Sequence, residues 1–227
     1  MPTILLHQWE MSPFCNKTRR CLRRKGLTFS EREYNGLAAL DAAKLSKVGT
    51  LPVLDYDDER VVDSTAIAEF LDRKHPENPL YPHDPEALAM ARFWEDWAAQ
   101  SLYFYEIYLR MLDPEAMEKA VDLLTRGRPS YERPIMKMVI KRRYPKKLKA
   151  QGLGRLDRAE VERQLFQHVD GLDKLLTKRS WLAGDALSIA DISVAAQLDE
   201  MVRTSSVAPR ILDHANVRAW LERTVTA

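Results

Sequence analysis

The sequence predicts a mixed α/β N-terminal domain of order βαβαββα followed by an all-α domain. Three observations predict this. Short apolar runs alternate with helix-period segments up to about residue 75, and no convincing strand follows residue 86. Between them, residues 75–85 hold four prolines (76, 79, 82 and 85), the composition of a linker. The chain, at 227 residues, is long for one core and comfortable for two.

Residues 3–8 read as a short buried strand. Ser12-Pro13 then opens a helix, because a serine hydroxyl caps free N–H groups and proline is tolerated at the first helical position. Gly26 sits where a left-handed residue ends it. Along 12–25, Phe14, Cys15, Thr18, Cys21 and Leu22 share one face, and Lys17, Arg20 and Arg24 fall outside it. Residues 28–34 form a weaker strand. Residues 37–47 are helical by their Ala, Leu and Lys content, and Gly49 breaks the pattern. Residues 51–54 are a strand with Pro52 at its start, where a ladder donor can be spared. A turn at 57–58 and a return strand at 60–62 complete a hairpin. Asp63 and Ser64 cap a helix that runs to Lys74.

In the second half, residues 86–112 read as one long helix carrying Phe93, Trp94, Trp97, Phe104, Tyr105 and Tyr108. Residues 114–126 form another. Residues 135–150 are helical but expected to break near Pro145, and Gly152 with Gly154 ends them. Residues 157–178 are long and amphipathic. Residues 188–203 are apolar almost all round, as expected of the buried helix of a domain. Residues 216–224 close the chain.

Composition narrows the function. Hydrophobic content of 45% and charged content of 30% are those of a soluble globular protein, and no signal peptide or membrane span is expected. A net charge of +2 is too small to imply a polyanionic partner. Residues 141–149 hold six basic side chains, from Lys141 to Lys149, read as a solvated face; a nucleic-acid partner is not expected. The five histidines show no ligand spacing, so no metal is expected. Cys15 and Cys21 lie about 9 Å apart along one helix, too far for a bridge, and reduced thiols fit the cytosol. Chemistry concentrates at the first helix, whose N-terminus attracts anions, thiolates included. Its side chains there are the Ser12 hydroxyl and, one turn on, the Cys15 thiol.

The motifs as a set resemble the cytosolic glutathione transferases along nearly the whole chain. Ser12-Pro13-Phe14, with Lys17 and Arg19, is similar to the active-site helix of the tau and related serine-type classes; omega-type members have cysteine at the Ser12 position. Leu51-Pro52-Val53-Leu54 resembles the family's cis-proline strand, and Asp63-Ser64-Thr65-Ala66-Ile67 the segment that holds the γ-glutamyl end of glutathione. Residues 181–185 with Ser188-Ile189-Ala190-Asp191 resemble the capping box of the second domain's core helix. The chain departs at Thr50, where many members have lysine, at Asp63, one methylene shorter than the usual glutamate, and across residues 110–156, so no class is assigned.

The resemblance implies a thioredoxin-like glutathione-binding domain at residues 1–77 and a helical domain at 86–227 that supplies a pocket for an electrophile. It implies that Ser12 donates a hydrogen bond to the glutathione sulfur and favours the thiolate. Phe14, Thr50, Leu51, Pro52, Asp63 and Ser64 are then the glutathione-binding residues, with a cis peptide at Leu51–Pro52. Trp9, Tyr105 and Tyr108 fall to the electrophile pocket. Such proteins are cytoplasmic homodimers that serve detoxification. Two other readings stand beside the transferase: a glutathione-dependent thiol transferase or reductase using Cys15, and a non-catalytic binding or scaffold protein.

Overall fold

Strand β1 (Ile4–Gln8) is the apolar run that the sequence places first, and every residue of it except Leu5 is buried. The computed structural model, which describes residues 2–226, sets β1 inside a four-stranded sheet of order β2-β1-β3-β4. β2 (Ser30–Glu33) runs parallel to β1, with Leu6 opposite Glu31. β3 (Val53–Tyr56) runs antiparallel on the other side, with His7 opposite Val53, and β4 (Glu59–Val62) completes the hairpin. The edge strand β2 is exposed along its whole length and carries charges, which protects an open edge from pairing.

Helix α1 (Pro13–Arg24) starts at the Ser12 cap, and Gly26 follows its end at φ +64°. The apolar stripe is buried as expected, but Lys17 and Arg19, at 4% and 8% exposure, are buried too. The reason is that α1 is covered on two sides, by α3 (Ser64–Lys74) and by a helix of the second half described below. The helix expected over 37–47 shrinks to a 3₁₀ turn and the single turn α2 (Ala39–Ala42). Only its start and Ala42 are covered, while Leu40 and Val48 stay 68% and 69% exposed. Short helices without a packed face are marginal in water.

The proline-rich segment is strapped down rather than loose. Lys25 Nζ donates to Asp72 Oδ1 (2.6 Å) and to the His75 and Glu77 carbonyls, and Asp72 accepts from the Leu80 N–H at 2.7 Å.

From there the chain is helical: α4 (Pro85–Trp97), α5 (Tyr103–Met111), α6 (Pro114–Leu124), α7 (Glu132–Gln151), α8 (Arg158–Leu176), α9 (Ile189–Thr204), α10 (Ala208–Leu212) and α11 (Ala215–Thr226). α4 and α5 are the one long helix expected, joined through a π-helical turn at Ala98–Leu102. α7 does not break at Pro145. The carbonyl that proline leaves unpaired belongs to Lys141, and both residues face solvent, where water can replace the lost bond. α10 was not anticipated; a short helix anchored by buried Val207 and Ile211 carries too little periodicity to be seen. α9 is buried nearly all round and starts with the expected capping box between Ser188 and Asp191. Asp191 Oδ1 also accepts from Leu182 N–H and from Trp220 Nε1, both at 2.9 Å, which ties α9 to α11. α9 packs on both α1 and α4, so it is the helix that joins the sheet domain to the helical one. Among the described residues no helix is long and apolar enough to cross a membrane, and no cluster of three or more metal-ligating side chains occurs.

Candidate active site

The first wall of the site is the start of α1. Ser12 holds φ −83° and ψ 124°, and its half-buried Oγ accepts from the Cys15 N–H at 3.4 Å. Apart from its contacts with Cys15, this hydroxyl makes no hydrogen bond among the described residues, so it can turn to an outside acceptor. Cys15, one turn further, has no exposure at all, and its sulfur accepts from the Trp9 N–H at 3.4 Å. Burial pushes this thiol up to about 11, against the smaller opposing pull of its hydrogen bonds to Trp9 and Ser12. Cys21 is likewise sealed in, and burial pushes it up to about 12. The Trp9 indole N–H donates to the Tyr34 carbonyl, so Trp9 stands beside this helix start.

The second wall is the turn into β3 and the start of α3. The Leu51–Pro52 peptide is cis, Thr50 is exposed, and Pro52 is buried. Asp63 caps α3 at φ +82°, a conformation that costs a non-glycine residue on the order of 1–3 kcal/mol. Its Oδ1 accepts from the Thr65 and Ala66 N–H groups at 2.8 and 3.2 Å. This alters the expected arrangement: the cap itself takes two of the helix N–H groups that a ligand carboxylate would seek, and leaves that of Ser64. The exposed Oδ2 stays clear of the cap.

The third wall comes from the helical half. Phe14 packs its ring on Tyr103, centroids 4.9 Å apart. Tyr105 and Tyr108 lie about 200° and 140° round the helix from Tyr103. Their hydroxyls donate to Gln164 Oε1 (3.1 Å) and the Leu156 carbonyl (3.4 Å), toward α8 and the turn before it. Below Phe14, Lys17 Nζ meets Glu95 Oε1 at 2.6 Å and donates to Thr65 Oγ1 at 3.0 Å. The same carboxylate accepts from Thr65 Oγ1 (3.0 Å) and from the Tyr81 hydroxyl (3.1 Å). Sequence reading selected none of Glu95, Tyr81 or Tyr103. Lys17 stood in the motif, but no local pattern announces a partner 78 residues away.

Lys17 on α1, Thr65 on α3 and Glu95 on α4 meet at one junction between sheet and helices. Comparison with known proteins bears on the fold that these elements build. Residues 6–79 match the family described as glutathione S-transferase, N-terminal domain, and residues 154–223 match glutathione S-transferase, C-terminal domain. Glutathione S-transferase U2 of Arabidopsis thaliana is 30% identical over 102 residues, 43% of this chain. The match spans 44% of that relative's length. The solved structure of FzlA from C. crescentus superposes with a TM-score of 0.67 at 24% identity, covering 97% of this chain and 87% of that one. A glutathione S-transferase from Methylobacillus flagellatus KT with glutathione bound superposes at 0.62 and 22% identity, covering 98% of each. With both halves of the family matched in order and the fold shared from end to end, the chain belongs to the glutathione transferase superfamily.

Proposed function

We propose that the protein binds glutathione as co-substrate and stabilises its thiolate for attack on an electrophilic small molecule. The observation that carries this is the Ser12 cap: a half-buried hydroxyl, engaged with nothing beyond Cys15 of its own first turn among the described residues, at the positive end of a twelve-residue helix. A free thiol near pKa 8.5 is only a few per cent ionised at neutral pH, and shifting it by about two units takes about 2.7 kcal/mol. A hydrogen bond to a charged acceptor supplies roughly 1.5–3 kcal/mol and the helix terminus roughly 0.3–1 more, so no general base is required. The burial of Cys15 disfavours the alternative in which its thiol exchanges with a disulfide.

In this reading residues 1–77 bind glutathione and residues 86–227 supply the electrophile pocket. Phe14, Thr50, Leu51, Pro52, Asp63 and Ser64 surround the tripeptide. Asp63 Oδ2 pairs with its amine, and the Ser64 N–H meets its carboxylate. Trp9 and Tyr103 border the electrophile, with Tyr105 and Tyr108 as the wall behind. A homodimer fits Phe93 on α4, 74% exposed, and a cytoplasmic setting fits two free thiols.

The test is turnover with a conjugation electrophile, paired with calorimetry. Ser12→Ala is expected to cut kcat ten-fold or more, about 1.4 kcal/mol or above in the barrier. Asp63→Ala is expected to weaken glutathione binding by about 1.5–3 kcal/mol. Full turnover in the first variant would remove the serine mechanism, and unchanged affinity in the second would remove the glutathione site.

A further inference from the structure

The peptide bond between Met11 and Ser12 is held at both edges. Its N–H, on Ser12, donates to the Trp9 carbonyl at 3.1 Å. Its carbonyl, on Met11, accepts from Arg110 Nη1 at 2.8 Å. Orienting that plane orients the Ser12 backbone and therefore the direction in which its Cβ carries the hydroxyl. The first bond is local to the loop; the second reaches from α5, 99 residues further on.

Arg110 reaches this carbonyl from a buried position between two acids. It is 4% exposed, with Nη2 2.7 Å from Glu106 Oε1 on its own helix and Nη1 3.7 Å from Glu200 Oε2 on α9. Both carboxyl groups are buried, at 0% and 2% exposure, and burial pushes Glu106 up to about 8 and raises Glu200. A guanidinium sunk between two buried acids is weak as a stabilising device, since desolvation offsets most of the attraction. Its planar fork, however, fixes direction, and here one arm is spent on a main-chain carbonyl. Other arginines hold the neighbouring residue: Arg19 donates to the Glu10 carbonyl (2.9 Å), and Arg203 and Arg126 pair with its carboxylate at 2.7 and 2.9 Å. Of these, Arg110 alone reaches the Ser12 peptide.

We propose that Arg110 is a positioning residue for Ser12, setting its hydroxyl from the helical domain through the Met11 carbonyl. The inference rests on the serine mechanism above. A hydrogen bond weakens steeply with misalignment, so releasing the peptide plane weakens the bond that favours the thiolate. Asp63 and Ser64, on a different element, keep their grip on the γ-glutamyl end.

The experiment is a titration of the bound glutathione thiol by the ultraviolet absorbance of its thiolate, with steady-state kinetics on a conjugation electrophile. The variants are Ser12→Ala, Arg110→Met, Arg110→Lys and the Ser12→Ala/Arg110→Met pair. Arg110→Met is expected to raise the bound thiol pKa by about one unit and to lower kcat at neutral pH by about ten-fold. KM for glutathione should stay within about two-fold, the split that marks an interaction made in the transition state. Added to Ser12→Ala, the same substitution should change neither reading further. Arg110→Lys keeps a charge for the two acids but has no fork to hold Glu106 and Met11 together, so it should shift the pKa in the same direction by less. If Arg110→Met does not fold, the cycle is run with Arg110→Lys. A wild-type thiol pKa in a folded Arg110 variant, or an equal further loss of kcat in the Ser12→Ala background, overturns the positioning role. A wild-type pKa in Ser12→Ala removes the serine mechanism itself, a separate outcome.

Discussion

Two thiols lie along α1 and a hydroxyl caps it, and surroundings rather than intrinsic reactivity separate them. Ser12 sits half-buried at the cap, whereas Cys15 lies a turn inside with no exposed surface. With its thiol at about 11, only about one Cys15 in ten thousand is ionised at neutral pH. Cys15→Ser is therefore expected to leave conjugation turnover within a few-fold, and the native protein should resist alkylation at neutral pH until it is unfolded. Rapid alkylation of Cys15 in the folded protein, or loss of activity in that variant, would restore the thiol-exchange reading. The departures noted in sequence take on meaning at this scale too. Asp63, shorter by a methylene than glutamate, uses one oxygen as a helix cap and leaves the other exposed.

Among the elements, the region that matched no known class is joined to the sheet domain by a specific contact. Glu132, in the first turn of α7 and 1% exposed, accepts from the Leu37 N–H at 2.8 Å and pairs with Arg128. Gly36 makes the approach possible. It holds φ +59°, and a Cβ there would meet Glu132 Oε2 at 1.9 Å. Gly36→Ala combines left-handed strain of about 1–2 kcal/mol with a disrupted charged hydrogen bond worth about 1.5–3. The expected fall in melting temperature is roughly 5–20 °C. Gly26→Ala is the control: at φ +64° with open space around the position, it carries the strain alone and should cost less. Equal losses in the two variants would show that the α7 contact contributes nothing. The basic run of the same helix, from Lys141 to Lys149, is exposed apart from Tyr144 and Leu148, but Lys147 turns back to donate to the Tyr103 hydroxyl at 3.1 Å and to lie over its ring.

For the whole molecule, the seam between sheet and helices is polar where it passes under the site. Glu95 on α4 gathers Lys17 from α1, Thr65 from α3 and Tyr81 from the linker, and the Lys17 and Glu95 side chains are each 5% exposed. Removing one member of such a buried pair leaves the other uncompensated, at a cost of about 3–5 kcal/mol. Lys17→Met should therefore lower the denaturant midpoint markedly, and Lys17→Met/Glu95→Gln should recover most of the loss. A single-variant cost below about 1 kcal/mol would mean that the pair is solvated in solution and does not hold the seam.

The sequence by itself determined whatever is written in short-range chemistry. Ser12-Pro13 caps and starts a helix wherever it lies, the Ser188–Asp191 box does the same for α9, and the proline cluster marks the crossing between halves. The element order βαβαββα followed from the periodicities, and the cis Leu51–Pro52 peptide from the resemblance to the family. The strand order β2-β1-β3-β4 came from the structure. Tertiary structure decided what depends on neighbours distant in the chain. Lys17 falls outside the apolar stripe of α1, yet it is buried, because α9 and α3 cover that flank and Glu95 neutralises it. Residues 37–47 have helical composition but little to pack against beyond Leu37 and Ala42, so only one α-helical turn forms. Pro145 should end a helix, but its freed carbonyl faces water. Tyr103 rather than Tyr105 or Tyr108 meets Phe14, because the roll of α5 about its axis is set by packing on α6, α7 and α9. Arg110 reaches Met11 for the same reason: helical periodicity names the faces of a helix, and only the assembled core says where each one points.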